Sequence, residues 1–147
     1  MKPLLQRALV SGVLAGTAAA IAASLAGRWQ SRSYAAPLNA TSHIVWGDEA
    51  GRREAVSAKY TGTGALLHYG ASFFWAAFHE ALPGPAPLRA AATAATAYVV
   101  DYHVVPRRLT PGFEMRVSAG ALAVVYGALA LGLWAGSRVT EAEPRLR

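Results

Sequence analysis

The chain contains no cysteine. That absence excludes disulfides, thiolate catalysis and any zinc or iron–sulfur site built on Cys ligands. Charge is scarce as well: 15% of the 147 residues are charged, against about 25% in an average soluble domain. Known catalytic signatures are missing too. There is no phosphate-binding glycine loop, no His-Glu-x-x-His pair, no Gly-x-Ser-x-Gly elbow and no Glu-x-x-His di-iron motif. These gaps weigh against an enzyme.

What the chain has instead is apolar residues, 54% of the total, gathered into four runs at 4–26, 62–82, 87–105 and 113–136. Each approaches the ~20 residues needed to cross a bilayer as a helix. The expectation is all-α: an integral membrane four-helix bundle, multi-pass and not secreted, forming a single domain over 1–147 with a frayed tail from 137 to 147. A cleaved signal peptide fits poorly, because the run from Ala8 to Gly27 exceeds the usual signal core of about 7–15 residues.

The formal net charge is +6. The arginines flank apolar runs and form no basic stripe with interleaved aromatics, so they point to lipid headgroups and topology and away from nucleic acid. Arg28, Arg32, Arg52, Arg53, Lys59, Arg107, Arg108 and Arg116 fall on one side. Lys2, Arg7, Arg89, Arg138, Arg145 and Arg147 fall on the other. The positive-inside rule then leans toward cytoplasmic long connections and external termini.

Gly12 and Gly16 form one GxxxG in the first run, and Gly132 and Gly136 form a second in the fourth. Small residues let helices approach closely in lipid, within the bundle or between homo- or hetero-oligomer partners. Pro37 to Trp46 reads as a short amphipathic helix lying at the interface over 37–46. Pro37, Leu38, Thr41, Ile44 and Val45 form its apolar face, and Asn39, Ser42, His43 and Trp46 its polar one. Asn39-Ala40-Thr41 also matches a glycosylation sequon.

In the second run His68, Ser72, Trp75 and His79 follow spacings of four, three and four, which places them on one stripe of a helix. His79 and Glu80, near its end, read as interface residues. Pro83-Gly84-Pro85-Ala86-Pro87 cannot continue the helix, so the second and third runs form an antiparallel hairpin. Asp101 and His103 lie at the end of the third run, before Pro106. Thr110 and Pro111 read as the cap and first residue of the fourth helix, and Arg107, Arg108 and Arg116 as interfacial arginines.

Helical rise places His68 roughly 9 Å in from Gly62 and Asp101 roughly 7 Å in from Pro106, on the same membrane side. His43 leads toward that side as well. His68, Asp101, His103 and His43 are therefore the polar-cluster residues, with an arginine or His68 as the expected partner of Asp101. Ionisable groups inside a membrane span mark functional sites by default.

Three classes follow. A structural or accessory membrane subunit needs only the small-residue faces and the lipid bilayer. A haem or metal ion would draw on His43, His68, Asp101 and His103, although no cofactor is required by the sequence. A small transporter or proton relay would need an oligomer, since four short spans make a poor conduit.

Overall fold

The computed structural model describes residues 3–142. Lys2, Arg145, Arg147 and the tail beyond Ala142 lie outside the described residues. Among those described, regular structure is entirely helical. The α-helices are α1 (Leu4–Ser31), α2 (Ala36–Thr41), α3 (His43–Trp46), α4 (Thr63–Ala81), α5 (Ala86–Val99) and α6 (Ala119–Ala142). Two of them, α1 and α6, are long and apolar enough to cross a membrane.

Helices α1, α4, α5 and α6 run up, down, up, down. α1 is central and packs on both α6 and α4, while α5 leans mainly on α6. Small residues make the close contacts. A Cβ on Gly132 or Gly136 would collide with the α1 backbone at Ala15 or Ser11, so α6 lies directly against α1. Gly12 and Gly16 receive the rings of Phe73 and Tyr69 from α4. Both GxxxG motifs are therefore used inside the bundle.

The hairpin at Pro83–Pro85 joins α4 and α5 as expected, with Gly84 at φ 104, but the two helices then diverge. Asp101 consequently finds its partner on α6 and not on α4. The end of α5 also differs from a plain helix. Pro106 holds Val105 extended (ψ 149), and Val105 N–H bonds to Val100 O at 3.0 Å, so Val100–Val104 widens into a π turn.

The expected interfacial helix over 37–46 is corrected in two ways. It is broken at Ser42 into α2 and α3, and it is a plug instead of a surface helix. Asn39, Ser42 and His43, its expected solvent face, are buried. Gly64 of α4 lies directly under the Leu38 carbonyl, which a larger residue would block. Asn39 donates to Arg53 O and Ala55 O, both at 3.0 Å, and accepts from Thr61 Oγ1 at 2.5 Å. An amide so engaged is no glycosylation acceptor. It ties the 47–57 loop to the start of α4.

The fourth helix begins at Ala119, not at 113. Gly112 at φ 84 turns the chain, and Phe113–Met115 makes a single 3-10 turn. Thr110 does not cap a helix; its hydroxyl bonds to Glu114 Oε1 at 2.7 Å within the loop. At the other end α6 runs through the expected tail to Ala142, anchored by buried Ser137 and Thr140.

Candidate functional site

Polar side chains gather in two layers. His68 and His79 are eleven residues apart on α4, so the layers lie about 17 Å apart along the helix.

The first layer surrounds a cavity of about 140 Å³ between α4, α6 and the π turn that follows α5. Its roof is the α2–α3 plug and the loop before α6, through Thr41, Ile44, Leu109 and Phe113. Its polar wall is His68, Ser72, Asp101 and Tyr126. The alternating stripe on α4 turns His68, Ser72 and Trp75 inward, and all three are buried. The π turn carries Asp101 to the cavity and sends His103 the other way, exposed and edge-on to the Tyr98 ring at 5.7 Å.

Each polar group on this wall has a definite role. His68 Nε2 lies 2.7 Å from Gly16 O. A carbonyl only accepts, so Nε2 carries a hydrogen, and in the neutral ring Nδ1 then keeps its lone pair. Ser72 donates to His68 O at 2.8 Å. Tyr126 donates to Asp101 Oδ2 at 2.6 Å. The expected arginine partners of Asp101 are engaged elsewhere: Arg116 with Glu54 at 2.8 Å and Arg108 with Ile44 O at 3.5 Å, while Arg107 is exposed. Tyr126 completes an edge-to-face cluster with Tyr98 and Tyr102, at 5.5 and 6.0 Å between ring centroids.

The expected cluster is thus assembled only in part. His68 and Asp101 line one cavity without bonding each other. His43 is buried outside the cavity wall, with Nε2 2.8 Å from Thr110 O. His103 faces away. No group of three His, Asp or Glu side chains converges on a metal position among the described residues. The pair His68 and His103 does not face a common haem position either, since one is buried and the other exposed.

The second layer was not legible as a site. His79 and Glu80, expected at the interface, are 0% and 4% exposed. They are buried because α1, α5 and α6 all converge on the end of α4. Glu80 Oε1 accepts from Ser11 at 2.6 Å and from Ser137 at 2.9 Å, and Oε2 lies 3.8 Å from Arg7 Nε. Ser137 Oγ is also 2.8 Å from His79 Nε2. Arg89, which the sequence suggested only as a topology residue, is 9% exposed and reaches Leu82 O at 3.4 Å and Glu141 at 3.5 Å. His79 Nδ1 and Thr93 Oγ1 are buried there without a partner among the described residues.

A serine, a histidine and an acid in contact invite comparison with a nucleophilic triad. The connectivity is wrong for one. The acid binds the serine and not the imidazole Nδ1, and Ser137 and His79 are both 0% exposed, so no substrate reaches them. The layer is a helix-joining network. Ser11, Ser137 and Tyr126 carried no sequence signal beyond lying at helical positions beside small residues. Comparison with protein families, curated proteins and solved structures finds no match for this chain.

Proposed function

We propose that the chain is a four-span integral membrane protein acting as a structural or accessory subunit. One observation carries the reading: the bundle shows large apolar side chains outside and, beside its apolar core, buries polar and charged ones inside. Leu5, Leu25, Leu66, Phe74, Leu88, Val124 and Leu131 are 59–77% exposed on α1, α4, α5 and α6. The same helices bury Ser11, His68, Ser72, His79, Glu80, Arg89, Thr93 and Ser137. In water this arrangement would leave a large apolar surface exposed while polar groups occupy part of the interior. In lipid it satisfies every helix.

The distribution also accounts for the weaker span signals of α4 and α5. On α4, Glu80, which lowers the hydropathy, points into the bundle and is joined to partners there, while α5 is 14 residues long and reaches span length only with the π turn that follows it. With both GxxxG motifs occupied, one face left for a partner helix is the shallow groove between α5 and α6. Ala91, Ala95, Ala123, Gly127 and Ala130 line it, and a Cβ on Gly127 meets nothing within 4 Å.

The cysteine-free chain makes the test direct. Single substitutions Glu54→Cys, Pro85→Cys and Leu109→Cys are labelled with a membrane-impermeant maleimide in sealed vesicles. Four spans place residues 54 and 109 on one side and residue 85 on the other. Labelling of all three from one side refutes the reading. Cross-linking at Gly127→Cys then reports whether a second copy occupies the groove.

A further inference from the structure

We propose that the cavity between α4, α6 and the π turn after α5 binds the ammonium group of an amphipathic amine, with Asp101 as its counter-charge. Only the placement of the amine's tail, out between α4 and α5 into lipid, rests on the membrane reading. The recognition itself follows from the cavity wall.

The first argument is donor and acceptor accounting. The side-chain donors on the wall are Thr41, His68, Ser72, Trp75 and Tyr126. Four are engaged inside the protein: Thr41 with Pro37 O, His68 with Gly16 O, Ser72 with His68 O and Tyr126 with Asp101. What remains is one donor, the Trp75 indole N–H, against two acceptors, the Nδ1 lone pair of neutral His68 and Oδ1 of Asp101. Acceptors are in excess, and they are the groups beside the carboxylate, so an occupant that brings hydrogens of its own is favoured there.

The second argument is charge. Glu49 pairs with Arg53, Glu54 with Arg116, Glu80 with Arg7 and Glu141 with Arg89. Asp101 has no cationic partner among the described residues, only the neutral Tyr126 hydroxyl. A half-buried carboxylate without a cationic partner is stabilised by an opposite charge. An ammonium supplies both the charge and the hydrogens, which a neutral alcohol does not.

The third argument is the rest of the wall. Trp75, Phe113 and Tyr126 present aromatic rings, and ring faces attract organic cations. The volume of about 140 Å³ is close to that of an engineered cavity of about 150 Å³ that takes a benzene ring, so a small substituted ammonium head fits and a folded lipid does not. Among the described residues three ligating side chains do not converge there, so the wall offers no ready side-chain ligand set for an inorganic cation.

The test uses the full chain purified in detergent, titrated calorimetrically with 2-phenylethylammonium and with its neutral counterpart 3-phenylpropan-1-ol. The amine is expected to bind saturably at one site, and the alcohol about tenfold more weakly or worse. Asp101→Asn keeps the side-chain shape and an acceptor for Tyr126, and is expected to abolish amine binding. Ala71→Phe fills the cavity from α4 and is expected to do the same without touching the charge. Phosphatidylethanolamine added as a competitor separates two sources: competition assigns a lipid headgroup ammonium, and its absence a free amine. Equal affinity for amine and alcohol, unchanged amine binding by Asp101→Asn, or no saturable binding overturns the proposal. None of these outcomes bears on the vesicle-labelling result, so the two readings fail separately.

Discussion

Ser137 of α6 donates its hydroxyl hydrogen to Glu80 of α4 at 2.9 Å, and that single hydrogen fixes its neighbour. His79 Nε2, 2.8 Å from the same oxygen, must donate to it. The chain of bonds runs from His79 through Ser137 to Glu80, which also takes a hydrogen from Ser11 of α1. Three helices are thereby joined through one carboxylate oxygen.

The first prediction follows from that geometry. Glu80→Leu leaves buried Ser11 and Ser137, and half-buried Arg7, without their acceptor and is expected to cost about 3–5 kcal/mol. Glu80→Gln keeps an oxygen in place and is expected to cost about 1–2 kcal/mol. Thermal unfolding in detergent measures both. A Glu80→Leu protein as stable as the parent would show that the network contributes nothing.

The second prediction separates two glycines on one helix. Gly132 lies against the α1 backbone at Ala15, while Gly127 faces open space. Gly132→Val must push α6 off α1 and is expected to lose about 1–3 kcal/mol, the usual cost of overpacking. Gly127→Val gains helix stiffness and meets nothing, so its unfolding midpoint is expected to stay near the parent's. Equal effects would place the α1–α6 contact elsewhere.

Element positions were readable where local chemistry sets them. The apolar runs marked α1, α4 and α5 closely, the prolines from Pro83 marked the hairpin, and Pro106 marked the end of the α5 region. The start of α6 was missed by six residues, because Thr110-Pro111 imitates a helix cap while Gly112 at φ 84 breaks the chain just after. The plug was inverted for a different reason. Periodicity separates polar from apolar faces but does not say which faces the protein, and in a bilayer the polar face often turns inward. The same ambiguity put His79 and Glu80 at the surface. The partner of Asp101 was unreadable, because it depends on α5 leaning toward α6, a long-range choice with no local signature.

The third prediction concerns the plug. Asn39 holds Arg53 O, Ala55 O and Thr61 Oγ1 at once. Asn39→Ala leaves those groups without their buried partner, and about 1–3 kcal/mol of local stability is expected to go with it. Hydrogen exchange is the direct readout: amides of the 47–62 segment should exchange faster while those of α6 do not change. Uniform acceleration across the chain would mean that the plug and the bundle unfold together.

The last prediction asks which residue supports Asp101. The structure gives Tyr126 Oη at 2.6 Å, where the sequence suggested His68 or an arginine. Tyr126→Phe removes the donor and nothing else, and leaves a carboxylate inside the bundle with one bond fewer. A cost of about 1–3 kcal/mol is expected. Asp101→Asn changes the acceptor at the same contact. Two residues sharing one hydrogen bond do not act independently, so the double variant is expected to deviate from additivity by about 0.5–3 kcal/mol. Arg107 is exposed and forms no bond with Asp101, so the cycle of Asp101→Asn with Arg107→Ala is expected to be additive within about 0.5 kcal/mol. The two cycles are measured by the same unfolding assay. Coupling to Arg107 with none to Tyr126 would return Asp101 to an interfacial ion pair and remove it from the cavity wall.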